Sequence, residues 1–358
     1  MVNLDGVRPV KSPQDSFSKS TSNSCVLLFL GSERSGTTFV QETLNKFYPV
    51  SQGNESDWVI SAWRKAQNLN IATTEDQLRF MKLIFSDWYF ANKANYHQVY
   101  FDYRQFVQSE TFDYTKFVEA VFRHIADAEQ NQWVLNKTCV FSEHMPIVDE
   151  IFDRPKVINL VRDGRDVGLS LIKTKAWGPV SPYGAARWWS KRVDKIQQYA
   201  EENMQGRYLE LKYEDLTRDP GAHFEHIAKF YGIFEEERHA NLLKSVRIIS
   251  KNSEKWRSQF SESEVHVFER VAGDSLKRNG YQLVNEVHKP LSNWEYAVRR
   301  LNESIFSRIS FYPLWFRSLR IINRLIGLSP KLQQKFHRSA FFANHFNWNK
   351  NMGVRNED

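Results

Sequence analysis

Cysteine is scarce in this chain, with two among 358 residues, Cys25 and Cys139. So few thiols exclude a disulfide-stapled scaffold and a cysteine-ligated metal cluster. The expectation is two reduced, buried thiols in a cytoplasmic protein. Long apolar runs are missing too: none reaches the roughly 20 residues that a membrane-spanning helix needs. Met1 to Ser24 is polar and Ser-rich. It has no apolar segment of the secretory kind, and residues 1–22 read as a mobile arm. The body also lacks an excess of either charge. The net charge is +7, yet residues 286–358 hold twelve Lys or Arg against five Asp or Glu. The tail therefore carries the whole imbalance, and a neutral body argues against nucleic acid as a partner.

One further absence is chemical. Val26 to Leu30 is an apolar run of strand length, suited to burial on both faces. Gly31-Ser32-Glu33-Arg34-Ser35-Gly36 follows, and Thr37, Thr38, Phe39, Val40, Thr43 and Leu44 open a helix. Strand, glycine-bearing loop and helix together cradle a phosphate. The glycines let the backbone curl, and several N–H groups meet at the positive end of the helix. The spacing is the G-x-x-x-x-G of a P-loop. An ATP-binding loop would next place a Lys, to reach the β- and γ-phosphates, and then a Ser or Thr for magnesium. Thr37 stands where that Lys belongs, and the loop's cation is Arg34. This suits an anionic donor with no metal-clamped γ-phosphate, so no metal is expected.

The rest of the chain alternates strands and helices. Trp133 to Leu135, Lys156 to Val161 and Arg207 to Leu211 read as strands. Residues 142–152, 167–175, 190–203 and most of 220–280 read as helices, and 176–190 as an irregular loop. The pattern predicts an α/β fold of three αβα layers, P-loop NTPase-like, with a parallel sheet and a site at the strands' carboxyl ends. Residues 55–130 read as a helical lid insertion. It is rich in aromatics: Trp58, Trp63, Trp88, Tyr89, Phe90, Tyr96, Tyr100, Phe101, Tyr103 and Phe106. These either pack the lid on the core or line an acceptor site.

Residues 25–283 resemble the sulfotransferases that use 3′-phosphoadenosine 5′-phosphosulfate (PAPS). Glu33 to Phe39 matches the family's 5′-phosphosulfate loop. Val161 to Ser170, Val-Arg-Asp-Gly-Arg-Asp-Val-Gly-Leu-Ser, matches its 3′-phosphate motif. Leu209 to Pro220 is similar to its third strand with Tyr213-Glu214-Asp215. Lys251 to Tyr281, with Lys251, Trp256, Arg257 and Gly280-Tyr281, resembles its final helical region. The resemblance implies a sulfotransferase domain over 23–285. It gives the 5′-phosphate to Thr37, Thr38 and the backbone at Ser35 and Gly36. It gives the 3′-phosphate to Arg162 and Ser170, with Lys251 and Arg257 beside the nucleotide, and adenine contact to Phe39 and Tyr213. Physical chemistry supports the second motif. Arg162 ends a strand and offers a fork to a phosphate, and Ser170 lies two helical turns on. Arg162 could instead pair with Asp163 or Asp166.

The resemblance also implies the chemistry. Sulfuryl transfer needs positive charge on the bridging oxygen in an in-line geometry. Arg34 occupies the family's loop-cation position, and Lys137 in Asn-Lys-Thr matches a second basic position. The acceptor hydroxyl or amine needs a base. Cytosolic small-molecule members place a His two residues after the second Lys, where this chain has Cys139. Tyrosylprotein members share the Arg-Ser-Gly-Thr-Thr loop and place a Glu about twenty residues past its Arg, a placement that Glu55 matches. Glu55 is therefore the first candidate base, His144 the second, and Glu33 and Glu143 follow. The acceptor is a carbohydrate, lipid, peptide or small molecule.

Two rivals predict other residues. An ATP-using phosphotransferase needs a Lys at position 37 and a magnesium-binding Asp after the strand at 156–161. A non-catalytic, membrane-peripheral binding protein on the same fold predicts damaged anion motifs. The basic tail, 286–358, reads as amphipathic helices over 294–328. They serve as an added layer on the body, a contact with an anionic membrane surface, or a dimer contact.

Overall fold

Val26–Gly31 forms β1, and every one of its residues is buried. Its side chains alternate between two cores: Val26, Leu28 and Leu30 face one, Leu27 and Phe29 the other. A strand apolar on both faces requires strands beside it and helices above and below. A computed structural model supplies them. It describes residues 24–53, 55–85, 102–109, 111–174, 178–246, 253–284 and 291–309. The arm at 1–23, the lid aromatics Trp88 to Phe101, Lys251 and the tail beyond residue 309 lie outside the described residues.

The strands β2 (Val50–Gln52), β3 (Trp133–Asn136), β4 (Val157–Val161) and β5 (Tyr208–Lys212) join β1 in one sheet ordered β2-β3-β1-β4-β5. All four pairings are parallel. Leu28 of β1 is in register with Asn136 on one side and Val157 on the other. The helices in chain order are α1 (Thr37–Phe47), α2 (Trp58–Ala66), α3 (Thr74–Phe85), α4 (Tyr114–Ala128), α5 (Met145–Ile151), α6 (Gly164–Thr174), α7 (Pro182–Asn203), α8 (Tyr213–Arg218), α9 (Pro220–Tyr231), α10 (Glu236–Ser245), α11 (Trp256–Gln259), α12 (Glu262–Arg278) and α13 (Asn293–Ile309). Among the described residues no helix is long and apolar enough to cross a membrane.

The expected three-layer α/β architecture is what forms. On one face, Val40 and Leu44 of α1 pack with Phe224, Ile227 and Ala228 of α9 against Leu27 and Phe29. On the other, Phe117, Val118, Val121 and Phe122 of α4 cover Leu28, Leu30 and Val134. Those α4 positions lie on one face of a 3.6-residue period. The last helix of the aromatic-rich insertion is therefore part of the layer that covers the sheet. Trp58, Phe80 and Phe106 pack edge-on to Phe117 in the same core.

The structure corrects one sequence expectation. Residues 176–190 read as an irregular loop, but α7 already begins at Pro182. Ser181 caps it by accepting from the Gly184 amide at 3.1 Å. Proline at the first helical position loses no hydrogen bond, because that amide has no partner in a helix anyway.

α6, α7 and α12 meet in a third core of Val167, Leu171, Ala185, Trp189 and Phe268. Gly168 makes their approach possible. A Cβ there would lie 2.7 Å from the Phe268 ring and 3.1 Å from the Ala185 Cβ. Because Phe268 is fully buried, its ring has no room to retreat. Gly168→Val should lower the unfolding free energy by about 1–3 kcal/mol. Urea denaturation measures this, and an unchanged midpoint would contradict the tight contact.

Candidate functional site

The loop after β1 turns at Gly36, whose φ of 101° lies in the left-handed region. A Cβ there would come within 2.5 Å of the Tyr213 ring, so conformation and space both require glycine. Ser35 is fully buried. Its amide and its hydroxyl both donate to the Ser32 carbonyl, which closes the loop and gives its side chain a structural role. No side chain caps α1 at Gly36. The first-turn amides of α1 therefore have no capping side chain, the feature that an anion site at a helix start uses. Thr37 is buried and Thr38 exposed. Phe39 is half-buried and edge-on to Phe224 at 5.8 Å, a packing contact with α9.

Arg34 has a φ of 68°, a left-handed conformation that costs a non-glycine residue about 1–3 kcal/mol. Hydrogen bonds at its side chain and at its carbonyl hold it there. Its Nε donates to Ser170 Oγ at 2.9 Å. Its carbonyl accepts from Arg162 Nη1 at 3.0 Å. Glu33, its neighbour, is fixed from α7. Burial, and then the nearby Arg162, lower the pKa of Arg34 from its ordinary value. The first and second anion motifs are thus one structure, with Arg34 as the joint.

The second motif sorts its charges by burial. Arg165 is 2 % exposed and forms a fork to Asp163, with Nη2 at 2.8 Å and Nε at 3.0 Å. It also donates to Glu269 at 2.7 Å and lies 3.8 Å over the Trp256 ring. Arg165 takes up Asp163, while Arg162 stays 3.9 Å from Asp166 and 4.5 Å over the Tyr213 ring. Asp166 accepts from the backbone amides of Glu254 and Trp256 at 2.7 and 3.0 Å. That brings the segment of Arg257 to this side of the site, although Arg257 is half exposed and pairs with Glu254. Tyr213 is buried between Gly36 and Arg162, where its ring supports both motifs.

The other side of the loop carries a second charge cluster. Lys137 Nζ lies 3.2 Å from Glu55 Oε1, with Lys137 nearly buried and Glu55 half exposed. The two segments are fastened together. The Ser56 amide donates to Thr138 Oγ1 at 2.6 Å, and that hydroxyl donates to Asn136 Oδ1 at 2.6 Å. Cys139 is buried, and burial, with Glu33 and Glu55 next, pushes its thiol up. It therefore stays a neutral thiol, unsuited to act as a base. His144 stands apart: its Nδ1 faces Arg64 at 3.4 Å, and burial with Arg64 lowers its pKa. Arg34, Glu55 and Lys137 line the same side of the sheet's carboxyl edge, whereas His144 points toward α2.

Sequence reasoning passes over Trp188 and Arg192. Trp188 Nε1 donates to Glu33 Oε2 at 2.9 Å, and Arg192 pairs with Glu33 Oε1 at 3.0 Å. Burial raises the Glu33 carboxyl, and Arg192 opposes that rise. The available signal was the i, i+4 spacing of Trp188 and Arg192 next to the buried positions Trp189 and Val193.

A model of the sulfotransferase family matches residues 27–237. Many solved structures resemble the chain, among them three sulfotransferases. The sulfotransferase domain of the Synechococcus PCC 7002 olefin synthase is 19 % identical, with a TM-score of 0.46 over 74 % of this chain and 98 % of that one. Sulfotransferase STF9 from Mycobacterium avium is 14 % identical, with a TM-score of 0.43 over 76 % and 81 %. Mouse sulfotransferase SULT7A1, complexed with PAP, is 12 % identical, with a TM-score of 0.41 over 81 % and 93 %. No curated protein matches the chain.

The Arg165 pairing yields a test. Arg165→Met leaves Asp163 and Glu269 buried without their cation and should lower stability by about 3–5 kcal/mol. Chemical denaturation reads this, and a loss below about 1 kcal/mol would refute the pairing as a structural anchor.

Proposed function

Because the chain belongs to the sulfotransferase family, we propose that it transfers a sulfuryl group from PAPS to a hydroxyl or amine acceptor. One observation carries the donor assignment: Arg34 touches Ser170, and Arg162 holds the Arg34 carbonyl. A donor with phosphates at both its 3′ and 5′ positions needs two anion cradles at a fixed separation. A single loop cation linked to the second motif suits that need. The uncapped first-turn amides of α1, with Thr37 and Thr38, bind the 5′-phosphate. Arg162 and Ser170 bind the 3′-phosphate, with Arg257 on the same side.

The chemistry follows from charge. As the S–O bond to the phosphate breaks, negative charge grows on the bridging oxygen. Arg34 and Lys137 stabilise it, because preorganised cations in a partly buried site need no reorganisation as the charge develops. Glu55 takes the acceptor proton, and its pairing with Lys137 holds the carboxylate next to the cation that acts on the sulfuryl group. The acceptor oxygen attacks sulfur in line and adenosine 3′,5′-bisphosphate leaves. The acceptor is a carbohydrate, lipid, peptide or small-molecule hydroxyl. Two reduced, buried cysteines support a cytoplasmic setting, and residues 286–358 are the segment for any membrane or dimer contact.

Labelled PAPS offered with a panel of sugars, phenols, lipid alcohols and peptides tests the reaction. Transfer of label to one class is expected; retention on immobilised ATP but not on immobilised adenosine 3′,5′-bisphosphate would sink the reading. Arg162→Ala should weaken adenosine 3′,5′-bisphosphate binding on the order of tenfold to a hundredfold. Unchanged affinity would remove Arg162 from the 3′-phosphate. Glu55→Gln should reduce turnover by about 10²- to 10⁴-fold while donor binding holds; full activity would move the base elsewhere.

A further inference from the structure

Glu33 and Glu143 belong to different segments. Glu33 lies in the loop after β1, and Glu143 ends the short turn Cys139–Glu143 that follows Lys137-Thr138. One guanidinium holds both carboxylates. Arg192 Nη2 lies 3.0 Å from Glu33 Oε1 and 3.3 Å from Glu143 Oε1. Arg192 is 5 % exposed, and its guanidinium lies over the Trp188 ring at 4.3 Å. Trp188 occupies the second Glu33 oxygen. Both oxygens of Glu33 are thus engaged by α7.

Resting on the donor-site reading above, we infer that Arg192 is a positioning residue for sulfuryl transfer. It ties the loop that carries Arg34 to the turn next to Lys137, and so fixes the separation of two cations that act on one group. Arg192 touches neither cation. A buried guanidinium whose one nitrogen meets both carboxylates holds the two segments at a set distance more firmly than a solvated pair does. α7 is a firm anchor for this guanidinium. At its start, the Val180 amide and the Ser181 hydroxyl both donate to Glu303 of α13, the former at 2.8 Å. Further on, its Asp194 accepts from Ser275 and Arg278 of α12, both at 2.8 Å.

The test compares two ligands. Adenosine 3′,5′-bisphosphate uses both anion cradles, whereas 3′-AMP uses only the Arg162 and Ser170 cradle. The affinity ratio therefore reads the loop alone, without an acceptor. Arg192→Met should shrink that ratio by about tenfold with 3′-AMP affinity unchanged, and Arg192→Lys should recover part of it. Glu33→Gln should act alike. The double variant Arg192→Met/Glu33→Gln, which leaves no unpaired charge at Glu33, should be no worse than either single one, because the pair acts as a unit. Arg207→Met breaks the ion pair to Asp149, 2.7 Å, at the strands' amino edge and should leave the ratio intact. A wild-type ratio in the folded double variant, or equal losses for both ligands, overturns the inference. If the wild type itself shows no preference for the bisphosphate, the donor-site reading falls, and the inference with it.

Discussion

The carboxyl edge of the sheet depends on the placement of Arg34. It is a partly buried cation in a backbone conformation that a non-glycine residue avoids, held by Ser170 from α6 and by Arg162 through its own carbonyl. Two positive side chains, Arg34 and Arg162, approach each other there. Mutual repulsion and desolvation oppose that approach, and the surrounding structure offsets them. Asp166 near Arg162 and the Tyr213 ring below its guanidinium bring negative charge and π density to that cation, and Ser170 accepts from Arg34. A site arranged in this way favours anions arriving at the two cradles together.

The parallel sheet makes this possible. β1 lies in the middle, so the segments following β1, β3 and β4 emerge side by side at one edge. Each of these supplies a different charge: Arg34, Lys137 and Arg162. The order of strands in space differs from their order in sequence, and it is the spatial order that puts Lys137 and Arg162 on opposite sides of Arg34. Behind them, α7 is both core and support. Its Trp189 and Val193 are buried in the third core, while Trp188 and Arg192 on the adjoining face reach the loop.

Much of the fold was legible in the residues. The apolar runs of β1 and β4 announce strands buried on both faces. The glycine spacing announces the loop, and the alternation of elements announces a parallel sheet. The start of α7 was missed, because Gly178, Pro179, Pro182 and Gly184 suggest a loop, whereas Pro182 sits at the one helical position where proline is harmless. In the site, Arg34 stands out as the loop's cation, and Arg162 and Ser170 are singled out by the resemblance of Val161 to Ser170 to the 3′-phosphate motif. The roles of Ser35 and Tyr213 could not be read in this way, since each depends on a partner distant in sequence or on a turn that only the folded chain closes.

The sequence by itself determined the local chemistry. It set which residues form the anion loop, that Thr37 replaces the lysine an ATP-binding loop would carry, and that Cys139 stands where a histidine base would be. Local spacing suffices for these because each concerns residues on one strand-to-helix turn. Only the tertiary structure decided how charges pair. Arg162 and Arg165 look equivalent in Arg-Asp-Gly-Arg-Asp, yet burial gives Arg165 to Asp163 and Glu269 and turns Arg162 toward Arg34 and Tyr213. A long side chain reaches several partners at similar local separation, and the choice among them rests on desolvation, a property of the assembled core.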